Sequence, residues 1–252
     1  MTIALIAINV IVYLLEIRHG GSFFGGPSSS VEVRYGAIPY ELTHRGRHCG
    51  LATVAGPGGS SFSTIACQGQ PGVHGTPPPQ PSAWETVFTA MFLHASFLHI
   101  FGNMVFLAIF GPTVEDAMGR LRYLAFYLLG GLIALAAQVA AGPSSTSPTL
   151  GASGAIAAVL GGYILMYPRA KVLSLVFIIF FVTIVELPAV VLLGFWFAEQ
   201  LYLGLAGLAS TASGGEGVAY FAHIGGFCFG LLAIRLFARR RPRPPRQALP
   251  AY

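Results

Sequence analysis

Apolar residues in this chain gather into long runs, and the polar ones are confined to the gaps between them. The runs cover roughly residues 3–15, 88–112, 121–141, 152–167, 188–209 and 220–238. A helix of about twenty apolar residues is what a bilayer crossing requires. Helix-ending residues punctuate the pattern: Gly111-Pro112 is expected to close the second run, Gly142-Pro143 the third and Pro168 the fourth. The first run, Ile3 to Leu15, has no basic stretch before it and no small-x-small site ahead of Glu16-Ile17-Arg18. It reads as a first span, with a cleaved signal peptide as the competing reading.

Between the first two runs, residues 18–83 form a polar loop rich in Gly, Ser and Pro. Its end around Pro77-Pro78-Pro79 is expected to be disordered. A shorter apolar piece, Val172 to Val185, is rich in β-branched and aromatic residues and too short to span comfortably. It is expected to be extended or interfacial. Counting it as a span would put Ser153 and His223 on opposite membrane faces. Leaving it out gives six spans with every basic short loop on one side.

Composition agrees. With 54% hydrophobic and 9% charged residues, the chain cannot clothe a soluble globule in polar surface. The expected fold is therefore an all-α polytopic membrane protein. The net charge of +5 is sorted along the chain: six arginines lie between Arg235 and Arg246, and Arg120, Arg122, Arg169 and Lys171 sit in short turns. That pattern marks cytoplasmic loops and a cytoplasmic tail in a cell membrane, with no nucleic-acid partner implied. The expected layout is a first span at 1–17, a long extracytoplasmic loop at 18–87, a five-helix membrane core at 88–238 and a basic tail at 239–252. Cys49 and Cys67 share the polar loop, where a disulfide on the oxidising side is expected; Cys228 lies in an apolar run as a packing residue.

Candidate chemistry lies at the starts of two runs. Gly151-Ala152-Ser153-Gly154-Ala155 opens a helix of about fifteen residues, roughly 22 Å at about 1.5 Å per residue and shorter than the hydrocarbon core. Ser153 is thus expected below the membrane surface, in a loop-lined dip with helix N–H groups nearby. Ala222-His223-Ile224-Gly225-Gly226 opens the last run, and an ionisable residue there is a functional candidate. Gly226 and Gly230 on one helix, and Gly154, Ala158 and Gly162 on the other, form small-residue stripes that permit close approach. Ser153 and His223 can then act as nucleophile and base. His99 and Asn103, four apart, share a helix face and can donate to an oxyanion, with His94 at the helix entry. Asp116, the chain's one aspartate, lies roughly 20 Å along the helix from Asn103, too far to orient His223. Glu199 is the remaining candidate acid, and a two-residue dyad is the economical reading.

Together these strings resemble the rhomboid intramembrane serine proteases: His94 with His99-xxx-Asn103, Glu115, Gly151-Ala152-Ser153-Gly154, and Ala222-His223-xx-Gly226-xxx-Gly230. The resemblance implies a six-helix rhomboid-like bundle. It implies Ser153 as nucleophile and His223 as base, with His99, Asn103 and the Ser153 backbone N–H as oxyanion donors and no cofactor or metal. Trp196 and Phe197 resemble the aromatic part of a lateral substrate gate. The implied substrates are single-span membrane proteins, cut near their extracytoplasmic boundary where helix-weakening residues let the chain unwind, after a small residue such as Ala. Two departures stand out. The Trp-Arg pair usual in the family's first loop is replaced near Trp84-Glu85-Thr86. The aromatic residue often found four after the nucleophile is Ala157, so stacking on His223 is expected from Tyr163 or Phe227. The alternative reading is a catalytically silent rhomboid-like binder of membrane clients. A His-based metalloprotease lacks a His-Glu-x-x-His string, and a transporter lacks convincing repeats.

Overall fold

The computed structural model describes the chain apart from residues 56–60, 74–76, 78–79, 179–180, 210–217 and 240–252. Helix α1 (Thr2–Arg18) leads into a folded loop region made of α2 (Ser29–Tyr35), α3 (Pro39–Thr43), the strands β1 (Cys49–Ala55) and β2 (Ser61–Cys67), and α4 (Ala83–Thr89). The bundle follows as α5 (Phe97–Met118), α6 (Arg120–Ala141) and α7 (Ser153–Met166). After β3 (Lys171–Ile178) and β4 (Phe181–Pro188) it is completed by α8 (Ala189–Ala209) and α9 (Tyr220–Phe237).

Helices α5, α6, α8 and α9 are long and apolar enough to cross a membrane. The chain is a mostly helical membrane protein. Helix α7 has 14 residues and every position from Gly154 to Tyr163 is buried, which makes it the central helix of the bundle. Its neighbours cover what would otherwise have to face lipid. Helix α1 has 17 residues and buries Leu5, Asn9, Tyr13 and Glu16 along one face.

The first core helix departs from its expected bounds of 88–112. Ser82 caps α4 in a capping box with Glu85, and the chain breaks after a 3-10 turn at Ala90–Phe92. Helix α5 starts only at Phe97, with Ser96 as its cap. Gly111-Pro112 does not close it. Both residues lie inside the helix, which runs on to Met118. Gly111 is there for packing: a methyl group at that position would lie 2.8 Å from Thr2 Cγ2 and from the Tyr123 hydroxyl. Interior proline is tolerated in membrane helices because neighbours and local adjustments satisfy the freed carbonyl. The stop comes from Gly119, whose φ of +82° turns α5 into α6 in one residue. Gly142 does cap α6, and α7 ends before Pro168, as punctuation predicts.

The polar loop carries a core of its own. Val33, Ile38, Tyr40, Cys49 and Cys67 form a small cluster, and Cys49 and Cys67, opposite each other in register, are joined by a disulfide. Pro78 and Pro79, where disorder is expected, lie outside the described residues. The described part of 172–185 is extended: Lys171–Ile178 and Phe181–Pro188 pair as an antiparallel hairpin. Cys228 is a free thiol, half-buried.

Candidate active site

Local capping sets the first wall of the site. The Ser96 side chain accepts from His99 N at 3.2 Å, which fixes the start of α5 and places His99 in its first turn. Asn103 follows one turn down on the same face and is buried. His94 precedes the helix, fully buried, with its ring edge-on to His99 at 5.1 Å between centroids. Its backbone N–H donates to Glu16 of α1 at 3.4 Å. Among the described residues, Asn103 Nδ2, His94 Nε2 and Glu16 Oε1 are buried polar atoms with no hydrogen-bond partner.

The second wall is the connection into α7, which the loop region braces from outside. Tyr40 N donates to Ser145 O at 3.0 Å and the Thr43 hydroxyl to Pro143 O at 2.7 Å. Ala37 and Thr149 exchange two backbone hydrogen bonds of 3.0 and 2.8 Å. Gly151 N donates to Ala90 O at 2.8 Å. Gly151 has a φ of +123°, and a methyl group there would lie 2.8 Å from the His99 ring and 3.5 Å from Ser153 Oγ. Glycine is required twice over, by conformation and by space. Ser153 opens α7, so its own N–H is among the first-turn groups that have no intrahelical partner.

The third wall is α9. Ala222 N, in its first turn, donates to Ala219 O at 3.0 Å and to Gln138 Oε1 of α6 at 3.2 Å. The next residue, His223, places Nε2 2.8 Å from Ser153 Oγ. The glycines explain how the two helices come close enough. A methyl at Gly226 would collide with Gly154 O, one at Gly230 with Ala158 O, and one at Gly161 with Phe227 O. The backbones of α7 and α9 are therefore in contact, the small-residue mode of membrane helix association.

Sequence reasoning missed Gln200. Its Oε1 lies 2.7 Å from His223 Nδ1, and the residue is buried in α8. Glu199, the remaining candidate acid beside the favoured dyad, is exposed. A signal existed: a lone amide four residues after Trp196, hence on the same face of an apolar helix. Stacking on His223 also differs from expectation. Neither Tyr163 nor Phe227 supplies it. Tyr163 packs on Phe110 and Tyr167, Phe227 on Phe197 and Trp196, and the ring beside His223 is Trp196 at 5.8 Å. The two residues expected at a gate thus line α8 next to the histidine: Trp196 against His223, and Phe197 stacked on Phe227 at 4.5 Å.

A cavity of about 30 Å³ opens beside the serine, lined in part by Met91, Ala134, Gly151, Ser153, Gly154 and Ala222. Among the described residues, no three His, Cys, Asp or Glu side chains converge as a metal site.

Comparison with known proteins agrees with the geometry. A family model described as the rhomboid domain matches residues 81–240, and the chain belongs to the rhomboid family. It is similar to Rhomboid protein 1, mitochondrial, of Saccharomyces cerevisiae, 30% identical over 58% of this chain and 40% of that protein. It also resembles Presenilin-associated rhomboid-like protein A, mitochondrial, of Danio rerio, 32% identical over 56% of this chain and 34% of that one. Rhomboid-like protein 11, chloroplastic, of Arabidopsis thaliana is 28% identical over 62% of this chain and 54% of its own length. The chain therefore spans between 34% and 54% of the length of these curated relatives.

Proposed function

We propose that this chain is an intramembrane serine endopeptidase that cuts transmembrane segments of single-span membrane proteins near their extracytoplasmic face. The observation that carries the reading is the 2.8 Å approach of Ser153 Oγ to His223 Nε2 at the meeting of two apolar helices. A serine hydroxyl is a weak nucleophile at its own pKa and needs a neighbouring base. His223 Nε2 takes the Oγ proton as Oγ attacks the scissile carbonyl. The tetrahedral oxyanion faces His99, the unpaired Nδ2 of Asn103 and the Ser153 N–H. His223 then protonates the departing amine, and water releases the acyl group by the same steps. The cavity beside Ser153 is about large enough for one small side chain, which supports a small residue before the cut bond. Family membership supports the chemistry, since rhomboids are generally intramembrane serine proteases.

In this reading α1 and α7 join the four long helices to make six spans. Residues 1–17 are the first span, 18–87 the extracytoplasmic loop, 88–238 the catalytic core and 239–252 the cytoplasmic tail of a cell-membrane protein. The basic residues Arg120, Arg122, Arg169 and Arg235 fall at the cytoplasmic end. The deciding experiment incubates the purified chain in vesicles with a single-span substrate and a fluorophosphonate. Covalent labelling at Ser153, with cleavage lost in Ser153→Ala and His223→Ala, is expected; cleavage by the Ser153→Ala protein removes the proposal.

A further inference from the structure

The β3–β4 hairpin takes no part in this chemistry, and its cross-strand register sorts its residues onto two faces. The pairs Leu173–Glu186, Leu175–Ile184 and Phe177–Val182 alternate with Val172–Leu187, Ser174–Val185 and Val176–Thr183. Residues directly opposite in a ladder point to the same side. On the second face Val172, at the root, is buried in the main core, and Ser174, Val176, Val185 and Leu187 are half-buried. On the first, Leu173, Leu175, Val182 and Ile184 are 71%, 56%, 59% and 67% exposed. Four large aliphatic side chains on one unpartnered face need an apolar neighbour.

Continuity indicates which one. Strand β4 runs directly into α8, and the joint is fixed by Ala189 N donating to Ala170 O at 2.8 Å and Val190 N to Pro168 O at 3.0 Å. Helix α8 is long and apolar enough to cross a membrane, and its outer residues Val190, Val191 and Phe195 are exposed as well. The exposed apolar surface of the hairpin thus continues into one that only lipid can cover. The charge pattern agrees. Lys171 and Glu186 form an exposed ion pair of 2.7 Å at the root, beside exposed Arg169, and the aliphatic residues lie beyond it.

Edges decide the depth. Eight residues at about 3.3 Å each reach about 26 Å, so length alone would allow the hairpin to stand upright in a bilayer. A two-stranded sheet, however, leaves the N–H and C=O groups of both outer edges unpaired, and hydrocarbon cannot satisfy them. The hairpin can only lie along the interface, aliphatic face down and edges at headgroup level. The hydrogen bonds from Arg239 N to Ala117 O and from Arg122 to Phe237 O bring the ends of α5, α6 and α9 together, and α7 runs from Ser153 to the hairpin root beside Arg169. We propose that the β3–β4 hairpin is a monotopic lipid anchor, with the Leu173, Leu175, Val182 and Ile184 face seated in the leaflet at the basic end of the bundle.

The test uses the full chain carrying Cys228→Ala, in vesicles of phosphatidylcholine and phosphatidylglycerol. A single cysteine at Leu175 or Ile184, or at Thr183 on the other face, carries an environment-sensitive fluorophore. Lipids spin-labelled high on the acyl chain should quench Leu175→Cys and Ile184→Cys several-fold more than Thr183→Cys. Their emission should be blue-shifted, and neither signal should change on dilution with empty lipid. Equal quenching of all three sites by aqueous iodide would place the hairpin in water and end the proposal. Protection from both quenchers, or quenching that changes with the protein-to-lipid ratio, would make the occupant a second copy or another protein and overturn it too. The readout is location, not proteolysis, so its failure leaves the protease reading untouched.

Discussion

Gln200 Oε1 lies 2.7 Å from His223 Nδ1, while Ser153 Oγ lies 2.8 Å from Nε2 on the other side of the ring. An amide oxygen only accepts, so Nδ1 carries the proton and Nε2 turns its lone pair to the serine hydroxyl. In the proposed mechanism the amide does the orienting part of a triad acid's work without placing a second charge in the membrane, where it would be costly.

The proposed mechanism therefore makes Gln200 a positioning residue with a measurable effect. Gln200→Ala should lower kcat roughly 10- to 100-fold, about 1.4–2.7 kcal/mol of barrier, with KM little changed. Gln200→Glu keeps an acceptor oxygen and should recover part of the rate. Steady-state cleavage in vesicles gives both numbers. Equal losses in the two variants would assign Gln200 to packing alone.

Asn103 makes a second graded claim. Among the described residues its buried Nδ2 has no hydrogen-bond partner, and in the proposed mechanism it gains one when the oxyanion forms. Asn103→Ala should slow turnover roughly 10- to 1000-fold, about 1.4–4 kcal/mol, while substrate affinity stays nearly constant. An unchanged kcat would move the donor role to His99 and the backbone.

How much of this was legible from the chain follows from the range of the interactions involved. The runs that became α6, α7, α8 and α9 were readable because hydropathy and glycine or proline stops are local signals. The Ser153–His223 pairing was readable because both ends carry a chemical type, and stripes such as Gly226-xxx-Gly230 announce close packing. Gly111-Pro112 misled because the reason for that glycine, contact with Thr2 and Tyr123, lies in other helices. The Cys49–Cys67 bridge was expected, but the folded core around it was hidden because five buried residues, two of them those cysteines, leave no periodic trace. Gln200 was overlooked for a related reason. Its role depends on how α8 is rotated against α9, and only packing fixes that angle.

Packing of α7 on α9 supplies a third prediction. Gly226 faces Gly154 O so closely that any side chain must push the helices apart. Overpacking of a tight interior costs typically about 1–3 kcal/mol. Gly226→Val should lower the thermal midpoint and also reduce fluorophosphonate labelling at Ser153, because the histidine moves with its helix. Gly194, where an added methyl meets nothing within 4 Å, is the control, and Gly194→Ala should do neither. If Gly226→Val kept full labelling, the dyad would not depend on this contact.

The loop that braces the Ser153 connection contains a buried carboxylate with a predictable pH signature. Glu41 is buried beneath the first hairpin and its Oε1 accepts from Cys49 N at 2.5 Å. Burial pushes its carboxyl above the usual glutamate range, and the Cys49 N–H and nearby His48 pull it only part of the way back. The folded loop then holds the proton more tightly than the unfolded one. That contribution to stability is complete below the ordinary glutamate pKa and is lost as pH rises through the raised folded value. At neutral pH the buried charge is a liability. Glu41→Gln keeps an oxygen for the Cys49 N–H and removes the charge, so it should stabilise the loop at neutral pH, with the advantage vanishing as the medium is acidified. Limited proteolysis of the loop, or hydrogen exchange at the Cys49 amide, measures this across the pH range. A parent loop more stable than Glu41→Gln at neutral pH would mean that the carboxylate's hydrogen bond outweighs its desolvation, reversing the sign argued here.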